Sequence, residues 1–291
     1  MEQAISLDQN YETIDLADYD LRGEGSTAQT YYSKDGQRLA KLFFNQLGAD
    51  TATREFHIAQ TVHRMGIPTP RPIRLITDGK RIGTEFELFA PMNKRSFARI
   101  FSEEPDQVEP LSREFARRAR QLHQTPADTS ILPSMKSLIR YWIDRCPQIP
   151  ADILDLMLQT LDETPDQATC LHGDLHAGNI ITDGVRRVWI DVGDFAYGVP
   201  EWDNCMIYVI ASTMSEERCR HLFHVGSETM RRHWQYFVSE YYGLTTPQEF
   251  HDKALSMRRL AATKQFFVAT KSNNGAPVSE ELAKLIRRIG F

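Results

Sequence analysis

A change of rhythm near residue 92 divides the chain. Before it, short apolar stretches alternate with tight turns around a single segment of helical periodicity. After about residue 94, apolar residues recur mostly at helical spacing. The expected fold class is therefore α+β. A small lobe of sheet plus helix covers 1–92, and a larger, mainly helical lobe covers 93–291, joined at Pro91-Met92-Asn93-Lys94.

Within the first part, Asp35-Gly36 and Asp78-Gly79 are hairpin-turn signals flanked by apolar stretches. They predict strands over Ala28–Ser33, Gln37–Phe44, Ile73–Thr77 and Arg81–Phe89. Phe56, Ala59, Val62 and Met65 predict a helix over Asp50–Met65, capped by Asp50 and stopped at Gly66 with Pro68 beyond. The order is strand, strand, strand, helix, strand, strand. Later helices are expected at Ser112–His123, Met135–Arg145, Ala151–Glu163, Glu201–Ala211, Ser227–Tyr242, Pro247–Ala269 and Ser279–Ile289.

Composition narrows the function. The 291 residues are 41% apolar, ample for a core, and carry a net charge of −5. A mildly acidic chain argues against a nucleic-acid partner, which would require a basic face. The longest apolar run, Cys205–Met214, falls far short of the roughly 20 residues of a membrane span. The N-terminus has neither a basic segment nor an apolar stretch of the secretory kind. Cys146, Cys170, Cys205 and Cys219 form no Cys-x-x-Cys pair, so neither a disulfide framework nor a structural zinc is indicated. The expectation is a soluble cytoplasmic protein with reduced thiols and no membrane partner.

The helical part is interrupted at 169–200 by short apolar runs and glycine or asparagine turns, the kind of backbone that carries chemistry. Here Leu171-His172-Gly173-Asp174-Leu175-His176-Ala177-Gly178-Asn179-Ile180-Ile181 is followed by Val188-Trp189-Ile190-Asp191-Val192-Gly193-Asp194. An Asp183-Gly184 turn makes Ile180–Thr182 and Val188–Ile190 a hairpin that brings Asn179 and Asp191 to one end. An amide and a carboxylate oxygen with open positions suit Mg2+ on a phosphate-bearing substrate. Asp174 is then the candidate base for a hydroxyl nucleophile.

The pattern His-x-Asp-x4-Asn followed by Asp-x-Gly resembles the catalytic and metal-binding segments of the kinase fold. The His-Gly-Asp form with Ile-Asp-Val-Gly-Asp resembles its small-molecule branch, the aminoglycoside phosphotransferases and choline kinases. The resemblance implies a bilobal protein-kinase-like fold that binds ATP with Mg2+ and phosphorylates a small-molecule hydroxyl. In that frame Arg22-Gly23-Glu24-Gly25-Ser26-Thr27-Ala28 resembles the glycine-rich loop over the phosphates, with Gly23, Gly25 and Ser26 at the nucleotide. Ala28 stands where a third glycine often does, and alone the segment is an ordinary hairpin turn. Strand alternation puts Leu39 and Lys41 on one face, the first toward the base and the second toward phosphate. The resemblance makes Glu55 the carboxylate that pairs with Lys41, and Glu87-Leu88-Phe89 the hinge that contacts adenine.

Two other readings compete. Val199-Pro200-Glu201 imitates a protein-kinase element, yet only six residues separate Gly193 from Pro200, too few for a peptide-docking segment. A nucleotide-binding regulator without turnover is the other, favoured by Ala28 and by Val192 in place of the usual aromatic residue. His172 and His176 read as loop supports. The resemblance makes Asp203 of Gly198-Val199-Pro200-Glu201-Trp202-Asp203 a cap of the next helix that also ties it to the catalytic loop. Tyr197, Glu201 and Trp202 either wall a pocket for a cationic acceptor or pack as core. The acceptor itself, an aminoglycoside, an amino alcohol or a sugar, is open, as is the oligomeric state.

Overall fold

The structure is a computed structural model that describes residues 11–25, 27–44, 48–90 and 94–291, with backbone alone for 48–50. It divides into two compact units. One holds the residues up to Lys94 together with Ile181–Asp194; the other holds Arg95–Ile180 and Phe195–Phe291. The expected division at 92/93 is thus corrected for residues 181–194, which belong with the first unit. The cause is a contact between distant segments: Trp189 N–H donates to the carbonyl of Pro68 at 2.8 Å. The turn at Val192–Asp194 also packs on the helix of that unit.

The first unit is a six-stranded sheet with one helix. Strands β1 (Glu12–Thr13), β2 (Tyr19–Glu24), β3 (Ala28–Ser33), β4 (Arg38–Phe43), β5 (Pro72–Thr77) and β6 (Ile82–Glu87) lie in the order β1-β5-β6-β4-β3-β2. Helix α1 (Gly48–Arg64) connects β4 to β5. Neighbouring strands are antiparallel except β1, which runs parallel to β5. The expected order holds with β1 added; two residues are too few to carry a pattern. Helix α1 begins at Gly48, two residues before the expected Asp50 cap, whose side chain lies outside the described residues.

Register decides which residues of β4 reach which face. Ala40 and Leu42 pack with Ile14, Tyr19 and Ile76, whereas Phe43 packs with Ala28, Ala52, Phe56 and Leu75 against α1. Period-two alternation therefore sends Leu39 and Lys41 to the α1 side with Phe43, as expected. On the opposite face buried Glu85 accepts from Tyr19 Oη at 2.5 Å and Arg74 Nε at 2.7 Å, which keeps its charge paired. Gly83 faces Leu42 across the ladder, and a Cβ there would lie 1.9 Å from the carbonyl oxygen of Lys41. Only glycine lets β6 approach the lysine's backbone this closely.

After a short β7 (Arg95–Ser96), the second unit is built on α2 (Phe97–Glu103), α3 (Val108–His123), α4 (Met135–Arg145), α5 (Ala151–Glu163), α6 (Glu201–Thr213), α7 (Glu216–Phe223), α8 (Ser227–Tyr242), α9 (Pro247–Ser272) and α10 (Glu280–Gly290). Helix α9 packs on α6 and α10, and α3 on α8. The interrupting stretch supplies β8 (Cys170–Leu171), β9 (Ile180–Thr182), β10 (Arg187–Trp189) and β11 (Ala196–Tyr197). Of these, β8 and β11 pair antiparallel within the second unit. Helices α4, α5 and α8 match expectation to the residue; α2 and α7 were not expected. Ser279, expected as the first residue of the last helix, is instead its N-cap and accepts from Leu282 N–H. All four cysteines are buried and free, and no described helix is long and apolar enough to cross a membrane.

Candidate active site

Two clusters of functional groups stand out, one in each unit. In the first, Lys41 Nζ donates to Glu55 Oε1 at 2.8 Å and to Asp191 Oδ1 at 2.9 Å. Burial alone would lower the lysine's pKa; the carboxylates of Asp191 and Glu55 outweigh it and hold the ammonium above its ordinary value. Lys41 thus stays charged across the physiological range. Asp191 sits at φ 54°, a left-handed conformation that aspartate tolerates better than most residues. At Gly193 a Cβ would lie 2.9 Å from Glu55 Oε2 and 3.0 Å from its Cδ and Cγ. The glycine of Asp-x-Gly is therefore what leaves room for Glu55 beside Lys41.

In the second unit the loop after β8 is braced from several sides. His172 is fully buried against Phe195, and its Nδ1 accepts the N–H of Asp174 at 3.3 Å. Asp203, also fully buried, accepts from His172 N at 2.6 Å and Gly173 N at 2.9 Å, with His123 Nε2 at 3.1 Å. Asn179 Nδ2 donates to the carbonyl of Asp174 at 2.9 Å and to its Oδ2 at 3.1 Å. His176 Nε2 lies 3.5 Å from the same Oδ2. Burial raises the pKa of Asp174, but His176, His172 and Lys264 pull it well below the ordinary carboxylate range. An ionised, hydrogen-bonded carboxylate of this kind orients a hydroxyl strongly and takes its proton only once that oxygen has become acidic.

The structure brings Lys41, Glu55 and Asp191 together, and separately Asp174 and Asn179. Leu39 shares the face of Lys41. Gly23 sits in β2 at a register shift and Gly25 in the following turn; Ser26 lies outside the described residues. Neither glycine has positive φ, and an added Cβ meets nothing closer than 3.7 Å. The chain's own packing therefore does not require glycine at either position. In the expected hinge, Glu87 N–H donates to Arg71 O at 2.9 Å and Leu88 N–H to Gln37 O at 2.8 Å. Both are spent on the lobe itself, while Phe89 carries the Arg186 guanidinium over its ring.

Two expectations near α6 are resolved. Asp203 does tie the helix to the loop, but it is no cap: the helix opens after Pro200 without a side-chain cap bond. Trp202 is fully buried, and Glu201 is paired with Lys253 at 3.1 Å. Trp202 is therefore core and Glu201 a compensated charge, so neither supplies a free acidic or aromatic wall; Tyr197 is half-buried at the end of β11. Sequence reasoning missed Lys264 and Gly83. A lysine in the middle of a long helix and a glycine inside a strand are weak signals, although the latter does mark close backbone approach.

Among the described residues no group of three or more His, Cys, Asp or Glu is placed to hold a metal ion. A lone carboxylate can serve a Mg2+ only where the ion takes its other oxygens from substrate and water. Asp191, with about half of its side chain exposed, fits such a partial site.

Comparison with known proteins shows the family. A model of the phosphotransferase enzyme family matches residues 19–234, about three quarters of the chain. The chain belongs to that family. The phosphotransferase resembles a thermostable mutant of aminoglycoside phosphotransferase APH(4)-Ia (TM-score 0.60, 13% identity, 94% of this chain and 92% of that one). It also resembles a choline/ethanolamine kinase family protein from Mesorhizobium loti (TM-score 0.57, 13% identity, 93% and 86%). A third likeness is to APH(2")-IIa in its streptomycin–ATP ternary complex (TM-score 0.53, 16% identity, 89% and 86%). The kinase-like fold expected from the sequence is the fold of this chain. Comparison with curated proteins yields no sequence match.

Proposed function

We propose that the phosphotransferase moves the γ-phosphoryl group of ATP, bound with Mg2+, to a hydroxyl of a small molecule. The observation that carries this reading is the Lys41–Glu55–Asp191 cluster, a charged lysine held between two carboxylates at 2.8 and 2.9 Å. Lys41, steadied by Glu55, binds the α- and β-phosphates. Leu39 meets the base, with Glu87, Leu88 and Phe89 beside it. Gly23, Gly25 and Ser26 cover the phosphates; glycines that the protein's own packing does not require suit close approach of a ligand. Asn179 and Asp191 hold Mg2+, which when bound neutralises charge on the transferring phosphate.

Asp174 orients the acceptor hydroxyl. The acceptor oxygen bonds to phosphorus as the bond from phosphorus to the β–γ bridging oxygen breaks, ADP leaves, and the hydroxyl proton passes to Asp174. Its depressed pKa favours late proton transfer, and catalysis is mainly positioning and charge stabilisation. The acceptor class we infer is an amine-bearing alcohol. It rests on the streptomycin-bound and choline/ethanolamine kinase likenesses rather than on an acidic wall.

The test is to incubate the protein with Mg-ATP and a panel of aminoglycosides, amino alcohols and sugars, reading new phosphomonoesters by 31P NMR. Transfer to at least one amine-bearing alcohol is expected. Transfer only to neutral or anionic alcohols overturns the acceptor class. Nucleotide binding with no transfer to any acceptor overturns the enzyme reading in favour of a nucleotide-binding regulator.

A further inference from the structure

Lys264 is an anomaly of the second unit. Its side chain is fully buried in α9, where a lysine is rarely found without a specific partner. Nζ donates to the carbonyl of Gly173 at 2.7 Å, touches Met135 Sδ at 3.3 Å and lies 4.8 Å from the ring centroid of Phe267. An apolar side chain of similar volume would fill this place at no desolvation cost, so core packing alone does not account for an ammonium here.

What Lys264 grips is the peptide that carries Asp174. The oxygen of the Gly173–Asp174 peptide is held by Lys264, and its N–H by His172 Nδ1 at 3.3 Å. The preceding N–H groups, of His172 and Gly173, are held by Asp203. Gly173 itself stands at φ +83°, where a free glycine would sample many alternatives. Pinning both ends of the next peptide removes that freedom at the residue just before the base. The positive charge of Lys264 also helps to hold both Asp174 and Asp203 ionised.

We propose that Lys264 is a positioning residue of the phosphotransfer: by fixing the Gly173 carbonyl it sets the direction in which Asp174 presents its carboxylate. The inference rests on the role given to Asp174 above, and its test separates the two. In Lys264→Met, hydrogen exchange at the amides of 171–178 should rise at least tenfold while α10 and the first unit stay as protected as in the wild type. Its Mg-ATP dissociation constant should stay within twofold, whereas Mg-ATP consumption, with water as acceptor if no better one is found, should fall at least tenfold. A Lys264→Met protein whose melting temperature drops but whose loop exchange and turnover per folded molecule are unchanged overturns the proposal, because Lys264 would then be structural only. Should that variant fail to fold, the wild type labelled with 15Nζ-lysine and 13C-carbonyl glycine decides. A through-hydrogen-bond correlation between Lys264 and Gly173 is expected, and its absence overturns the proposal. A wild type that consumes no Mg-ATP with any acceptor overturns the phosphotransfer reading instead, and the exchange experiment still reports on Lys264.

Discussion

Gly83→Ala tests whether the backbone beneath Lys41 is set by the close approach of β6. The new Cβ would start 1.9 Å from the Lys41 carbonyl oxygen, 2.8 Å from its carbonyl carbon and 2.9 Å from Leu42 Cα. Real Cβ contacts begin near 3.0 Å, so the two strands must part by about 1.1 Å (3.0 − 1.9), and the obstacle is backbone rather than a flexible side-chain tip. The β4–β6 ladder runs from Arg38↔Glu87 to Leu42↔Gly83. Opening its Gly83 end by that distance breaks two or three hydrogen bonds worth about 1 kcal/mol each. Residual overpacking adds about 1–2 kcal/mol, for a total of roughly 3–5 kcal/mol. Urea unfolding followed by tryptophan fluorescence reads the stability, with Trp189 reporting on the first unit. Calorimetry reads Mg-ATP affinity, which should fall because Lys41 moves with its strand. A variant within about 0.5 kcal/mol of the wild type, binding Mg-ATP equally well, would refute the argument.

Gly193→Ala should leave the fold nearly intact, because Glu55 can swing away, but lose the 2.8 Å Lys41–Glu55 bond. A charge-assisted bond of about 1.5–3 kcal/mol corresponds to Mg-ATP affinity roughly ten- to a hundredfold weaker by calorimetry, and unchanged affinity would count against it. Asp203→Asn sets an amide NH2 against one of the two N–H groups that the carboxylate now accepts, within a fully buried site. A loss of about 3–5 kcal/mol in urea unfolding is expected, and a loss below about 1 kcal/mol would show that the loop is held by other means. Burial among Phe101, Phe115 and Phe237, with a smaller contribution from His176, pushes the His233 pKa down to about 3. The unfolded chain then binds the extra proton between about pH 6.5 and 3, so stability present above that window is lost as pH falls, by up to about 1.4 kcal/mol per unit. His233→Phe should flatten that slope in pH-dependent unfolding, and an equally steep slope would rule out His233 as its source.

The parts of this molecule that were legible in the sequence are those whose signals are local. The Asp35-Gly36 and Asp78-Gly79 turns place their glycines at φ 72° and 85°, and they fix the strands on either side. Lys41 and Leu39 follow from period-two alternation, and α4, α5 and α8 from long helical stripes. Helices α2 and α7, of 7 and 8 residues, are too short for a periodic signal. Their caps Ser96 and Ser215 are local markers that a periodic reading passes over. The placement of 181–194 was illegible for a different reason. It depends on Trp189 meeting Pro68 and on Gly193 making room for Glu55, contacts between segments more than a hundred residues apart. Lys264 is the extreme case, since nothing in its helical neighbourhood announces a partner in the loop near Asp174.

The division of labour between the two clusters is open to one direct comparison. Mg-ATP binding and phosphoryl transfer to a responsive acceptor should be measured side by side in Asp174→Asn and Asp191→Asn. The account predicts that Asp174→Asn binds Mg-ATP as the wild type does yet loses transfer by at least about a hundredfold, while Asp191→Asn loses magnesium-dependent binding and transfer together. Near-wild-type transfer by either variant would contradict it.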